Sequence, residues 1–220
     1  MPVGVSHGRA GLAMKRALDI VGAGIGLLVC GPLLLLLAWA VRRDSPGPAF
    51  FAQQRLGRGG RPFPMHKLRT MAVGTENRGA GLGIETDDPR ITRTGRWLRA
   101  TSLDELPQLW NILRGDMSFI GPRALPTRYL ERWNDRQRLR LSLPQGITGW
   151  AQVLGRNELP WPERFELDVW YIEHWSLGLD VKIALMTIGA VLARRGIAGS
   201  DGTVAEFRGG STGDAPPSPP

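Results

Sequence analysis

The longest feature of the hydrophobic pattern is an uncharged run from Ile20 to Val41. Lys15, Arg16 and Asp19 precede it, and Arg42 and Arg43 close it. As a helix, its roughly 22 residues at about 1.5 Å each reach about 33 Å, enough to cross a bilayer. Pro32, preceded by Gly31, falls near the middle, where the missing N–H and the ring break or bend a helix. Basic residues at both ends give no orientation by the positive-inside rule. The residues leave three readings open. The helix can enter one leaflet, bend at Gly31-Pro32 and return. It can span the bilayer with a tolerated proline. It can be a cleaved leader ending at Ala38-Trp39-Ala40, which Arg42 and Arg43 fit poorly.

After the run the pattern becomes that of a small α/β domain. Ser45-Pro-Gly-Pro48 is a turn, Ala49 to Ala52 a short strand, and Phe63 to Met71 its hairpin partner across Gly59-Gly60. Residues 73–88 are glycine-rich and polar, the pattern of a long mobile loop. Gly95 to Arg99 forms a short basic helix. In Ser-Leu-Asp-Glu-Leu-Pro-Gln-Leu-Trp-Asn, residues 102–111, a helix starts near Asp104 with Pro107 in its first turn; a Ser102/Glu105 capping box is the second option. Met117 to Pro122 is a short apolar segment, and Thr127 to Leu141 a charged amphipathic helix. A helix starts at Pro162 and runs to Trp175. Ile183 to Ala193 is too short to span a membrane and reads as a packed or interfacial helix. The predicted architecture is α/β, mostly helical with a short β-hairpin. Residues 1–14 are a mobile start, 15–43 the membrane-embedded helix, 44–196 one folded domain, and 197–220 a disordered Gly/Pro-rich tail.

Charge sharpens this picture. A net charge of +8 over 220 residues calls for an acidic partner: nucleic acid, anionic lipid or a phosphorylated substrate. The arginines at 128, 132, 136, 138 and 140 alternate with Glu131 and Asp135, which favours a solvated helix face over a nucleic-acid surface. A single cysteine, Cys30, excludes a disulfide within the chain, and no Cys/His spacing suggests zinc. The candidate chemistry is the adjacent pair Asp104 and Glu105 at the positive end of a helix. Helix capping alone accounts for Asp104. The nearby Arg96, Arg99, Arg114 and Arg123 shift the balance towards a site for a polyanion. Lys67 and Arg69 either face solvent or point to that anion. Asp168, one turn from Arg164, reads by itself as half of a local ion pair.

Several blocks stand in a fixed order. They are Lys15-Arg16-x-x-Asp19, Gln54-Arg-Leu-Gly57, Lys67-Leu-Arg-Thr-Met71, Asp88-Pro-Arg-Ile-Thr92, Ser102-Leu-Asp-Glu-Leu-Pro-Gln-Leu109, Gly121-Pro-Arg123, Gly146-Ile-Thr-Gly-Trp-Ala-Gln152 and Leu167-Asp-Val-Trp-Tyr171. Together they resemble the bacterial sugar transferase family, the monotopic phosphoglycosyl transferases, over residues 15–195. The resemblance implies transfer of a phosphosugar from a UDP-sugar to undecaprenyl phosphate. Asp104 would be the nucleophile and Glu105 would hold Mg2+; UMP would leave, and a phosphosugar–aspartate would pass to the lipid. It also implies that Lys67, Arg99, Arg123 and Asp168 line the same site, with Arg156 a further phosphate contact. The implied setting is a re-entrant membrane helix bent at Gly31-Pro32, with Lys15, Arg16 and Asp19 at the interface. Amphipathic helices would lie on the cytoplasmic face of the bacterial inner membrane. The partners are then UDP-sugar, lipid phosphate and membrane, with no nucleic acid, and self-association stays open. Four positions depart from the family pattern: Gly31 for serine, Ala124 and Gln145 for proline, and Leu154 for asparagine.

Overall fold

The long apolar run forms helix α1, Arg9–Asp44, in a computed structural model that describes residues 7–75, 88–155 and 159–192. The helix is continuous through Gly31 and Pro32, so any bend there is taken up within the helix and not by a break. Lys15, Asp19, Ala23, Leu37, Ala38 and Val41 are buried on one stripe at helical spacing. Glycines on the same side admit the domain closely: a Cβ at Gly11, Gly22 or Gly26 would meet Trp175, Phe119 or Leu109. The opposite face, including Val21, Ile25, Leu28, Val29, Leu35 and Leu36, is exposed and apolar.

Both ends of α1 are bonded into the rest of the chain. Lys15 donates to Asp180 at 2.7 Å and to the Ile120 carbonyl at 2.8 Å. Arg16 donates to the carbonyls of Ile112 and Leu113. Asp19 accepts from Ser118 Oγ and the Phe119 amide, each at 3.0 Å. These three residues were expected at the lipid interface. Lys15 and Asp19 are buried against the folded domain, where a charged group at the edge of an apolar helix finds its partners within the protein. At the other end Arg69 donates to the carbonyls of Ser45 and Pro46, capping the exit from the helix. Arg69 therefore does not face an anion.

The hairpin pairs β1, Phe50–Leu56, with β2, Pro62–Leu68, antiparallel, with Phe51 opposite Lys67 and Arg55 opposite Phe63. Helix α2, Arg93–Thr101, and the short α3, Gln108–Arg114, follow. A second, parallel pair joins β3, Met117–Ile120, to β4, Gln145–Thr148. The alternation there is too short to predict from sequence. The single amphipathic helix expected over Thr127 to Leu141 is broken into two 3₁₀ segments around α4, Asp135–Arg138. Asn134 starts α4 with a capping box. Then come α5, Trp150–Leu154, α6, Trp161–Glu173, and α7, Leu177–Leu192. The start of α6 at its proline is as expected. Val181, Leu185 and Ile188 leave an exposed apolar stripe on α7. The chain is thus mostly helical, with a long apolar N-terminal helix and two small sheets. Most of the expected mobile loop and all of the expected tail fall outside the described residues.

Candidate active site

The acid pair is delivered by a change of helix. Thr92 starts α2 by accepting from the Gly95 amide at 3.0 Å. Gly95 has to be glycine, since a Cβ there would sit 2.1 Å from the Thr70 carbonyl oxygen. The helix ends at Ser102, with φ 57° and ψ 15°, the one non-glycine residue of positive φ among the described residues. This left-handed residue turns the chain into a 3₁₀ turn, Leu103–Glu105, ahead of α3. The helix expected from Asp104 therefore begins later, at Gln108 after Pro107, and the Ser102 side chain makes no cap bond. One short stretch closes α2 and opens α3, so neither start signal acts alone. A seven-residue α3 contributes little dipole, and the cations dominate the electrostatics.

Lys67 Nζ stands 2.6 Å from Glu105 Oε1 and 3.8 Å from Asp104 Oδ2. Arg123 reaches the same Glu105 oxygen at 3.1 Å. Burial pushes the Glu105 carboxyl up, but Lys67 and Arg123 outweigh it and hold the group well below the carboxylate range. Asp104 goes the other way. It is 7 % exposed. Burial raises its carboxyl, Lys67 pulls it down, and the charge of Glu105 adds to the rise. The two neighbours are thus pushed apart: one firmly ionised and pinned, the other buried and made more basic. Arg99 is brought to the site by its bond to Thr70 Oγ1, 2.9 Å, and its guanidinium faces the charges of Asp104 and Asp88.

Arg123 is held by glycines. Gly121 donates to the Thr148 carbonyl at 2.9 Å and Gly146 to that of Pro122 at 3.0 Å. A Cβ at Gly121, Gly146 or Gly149 would fall 2.2–2.3 Å from backbone atoms. Behind it, Arg140 is 1 % exposed and pairs with Asp168 at 2.6 Å while donating to the Arg123 carbonyl at 2.8 Å. Asp168 therefore supports the site through Arg140 and does not touch the acid pair. Its ion-pair partner is not Arg164, the neighbour that sequence spacing suggests. Arg140, read from sequence as part of a solvated face, is a buried member of this support. Only long-range contact reveals that, since its own segment is charged throughout.

Of the other residues expected here, Arg114 pairs with Asp116 at 3.5 Å, away from the acids. Arg96 is exposed on α2. Arg156 lies outside the described residues. Arg55 was not singled out, yet it is buried beside the site, within electrostatic reach of Arg123 and Glu105. Among the described residues no group of three or more His, Cys, Asp or Glu side chains could hold a metal by itself. The acid pair supplies at most two carboxylates, the number with which Mg2+ is bound when substrate phosphates and water complete its shell.

The profile of the family described as Bacterial sugar transferase matches residues 10–194. The chain belongs to the bacterial sugar transferase family. It is 44 % identical over 201 residues to an uncharacterized sugar transferase, EpsL, of Bacillus subtilis, covering 91 % of this chain and 98 % of that one. It is 44 % identical over 187 residues to the UDP-glucose:undecaprenyl-phosphate glucose-1-phosphate transferase of Caulobacter vibrioides, covering 81 % and 69 %. It is 40 % identical over 202 residues to the undecaprenyl-phosphate galactose phosphotransferase of Salmonella typhimurium, covering 86 % of this chain and 42 % of that longer protein. The sugar transferase match embraces nearly all of α1 as well as the acid pair, so helix and acids fall within one family match.

Proposed function

We propose that this sugar transferase moves a phosphosugar from a UDP-sugar to undecaprenyl phosphate through a covalent phosphosugar on Asp104. The observation that carries this reading is the split acid pair: Asp104 buried and basic, Glu105 pinned beside it by Lys67 and Arg123. A carboxylate oxygen of Asp104 attacks the sugar-linked phosphorus. The bond from that phosphorus to the bridging oxygen breaks, and the electron pair leaves on UMP. An oxygen of the lipid phosphate then attacks the same phosphorus and frees Asp104. Like-charge repulsion opposes both steps; Lys67, Arg99 and Arg123 are placed to offset it. The carboxylate of Glu105 would hold Mg2+, which when bound neutralises charge on the diphosphate.

The membrane setting is supported by α1. Lys15, Arg16 and Asp19 at one end and Val41 and Ser45 at the other are tied to the same folded domain, and the outer face between them is apolar. This favours a monotopic attachment, with both ends of α1 and the site on the cytoplasmic side, over a straight span. The names of the relatives support the lipid acceptor and leave glucose and galactose both open as the sugar.

The test is UMP release by the purified full chain with a panel of UDP-sugars, undecaprenyl phosphate and Mg2+. The expected result is UMP release matched to lipid-linked product, lowered at least about 1,000-fold in Asp104→Asn. UMP released at full rate without acceptor indicates a hydrolase, and no release with any donor rejects the reading.

A further inference from the structure

Three arginines are buried among the described residues, and two have evident partners. Arg69 takes the carbonyls at the end of α1, and Arg140 takes Asp168. Arg55 differs. It is 8 % exposed and its one bond runs to the neutral Gln53 Oε1 at 2.6 Å, with neither a carboxylate nor a set of carbonyls to take its charge; its Nε–H is buried without an acceptor, as is one guanidinium nitrogen of each of the other two. Burial, Arg123 and Arg128 push its guanidinium down to about 10, with Glu105 and Tyr129 opposing, so it stays a cation at neutral pH. A buried cation facing like charges, with an orphan donor, destabilises a fold until an anion completes it.

The hairpin places this cation relative to the acids. Phe51 is opposite Lys67, Gln53 opposite Met65 and Arg55 opposite Phe63, so Lys67 and Arg55 leave the same face four positions apart, about 13 Å along the strand. Lys67 meets both acids; Arg123 bonds to Glu105; Arg55 feels Arg123 and Glu105. The order along the face is therefore Asp104, Glu105, Arg123, Arg55. In-line transfer puts the leaving oxygen opposite the attacking one, and a donor laid along this row with its reacting phosphorus at Asp104 would carry the departing phosphate to Arg55. Leu56, next to Arg55, packs with Leu125, Tyr129 and Trp133, in the one apolar cluster of the four to which α1 contributes nothing. This end of the row lies away from the lipid-facing helix and suits the water-soluble substrate.

We propose that Arg55 binds the nucleotide-borne phosphate, the one that departs in the nucleoside monophosphate, with Arg123 shared between that phosphate and Glu105. The inference rests on the phosphosugar-transfer reading above. It makes the Arg55 donor, left orphaned by the fold, a group that substrate completes.

The test uses the detergent-solubilised full chain, with UMP as the probe, and compares Arg55→Gln and Arg55→Lys. UMP raises the melting temperature of the unaltered protein and uridine does not. Arg55→Gln weakens UMP about 10- to 100-fold, the usual effect of losing a charge-assisted hydrogen bond. It raises KM for the UDP-sugar by a similar factor and leaves KM for undecaprenyl phosphate unchanged within about twofold. Arg55→Lys recovers part of the loss. Without ligand, Arg55→Gln melts at the same temperature or higher, since it removes an uncompensated cation; a merely structural arginine would lower it. Unaltered UMP affinity in Arg55→Gln overturns the inference, and so does a rise confined to the lipid KM, which would assign the phosphate to the acceptor. UMP binding is read without turnover, so the two failures are distinct. Failure of the transfer reading appears as no UMP release by the unaltered protein.

Discussion

At the scale of single residues the acid pair is a place where stability is given up. The folded protein holds the Asp104 carboxyl above its ordinary value, so the native state binds that proton more tightly than the unfolded chain does. Stability from this group is present below the unfolded value and is lost as pH rises through the raised one. Above the raised value the ionised carboxylate is therefore a cost. In EDTA, Asp104→Asn, inactive under the proposed mechanism, should melt on the order of 2–4 °C above the unaltered protein at pH 7. The gap should close as the pH is taken down towards 4. A lower melting temperature for the variant at pH 7 would contradict the assignment. Ser102 is the second strained residue. Ser102→Gly should fold normally, whereas Ser102→Val, a β-branched residue at φ 57°, should lose both melting temperature and UMP release.

At the scale of elements, the joint between α1 and the domain is set by buried charge. Asp180 accepts from Lys15, from Tyr171 Oη at 2.7 Å and from Trp175 Nε1 at 3.2 Å. Asp180→Ala strands the Lys15 ammonium, and the expected loss is about 3–5 kcal/mol in denaturant titrations of the solubilised protein. Such joints show what a sequence carries and what it does not. The long apolar run, the hairpin, the basic α2 and the proline-started α6 were legible because each is a local pattern. The grouping of Lys67, Arg99 and Arg123 about the acid pair was legible too, through the order of the motifs. The helical turn that carries the acids was misplaced, since Ser102 ends one helix while the next begins six residues on. Arg140 was read as solvated and Asp168 as a partner of Arg164, because the contact that pairs them spans 28 residues. The parallel pairing of β3 with β4 was unseen for the same reason: four-residue strands carry almost no periodic signal.

At the scale of the whole molecule, the long apolar helix and the acid pair share one body. If both ends of α1 lie on one side of the membrane, cysteines placed at Gly8 and Ser45, with Cys30 replaced by serine, should react with an impermeant maleimide from the cytoplasmic side alone. Protection of one of the two sites would indicate a span. The hydrogen bonds at the two ends of the helix also bear on how the enzyme can be handled. Cutting the chain before residue 45 would leave the last carbonyls of α3 without Arg16, Asp180 without its ammonium and Ser118 without its carboxylate. It would also bare the leucine-rich surface on which the helix lies. The globular part is thus no detachable soluble fragment; trimming the greasy segment to ease expression should yield aggregate.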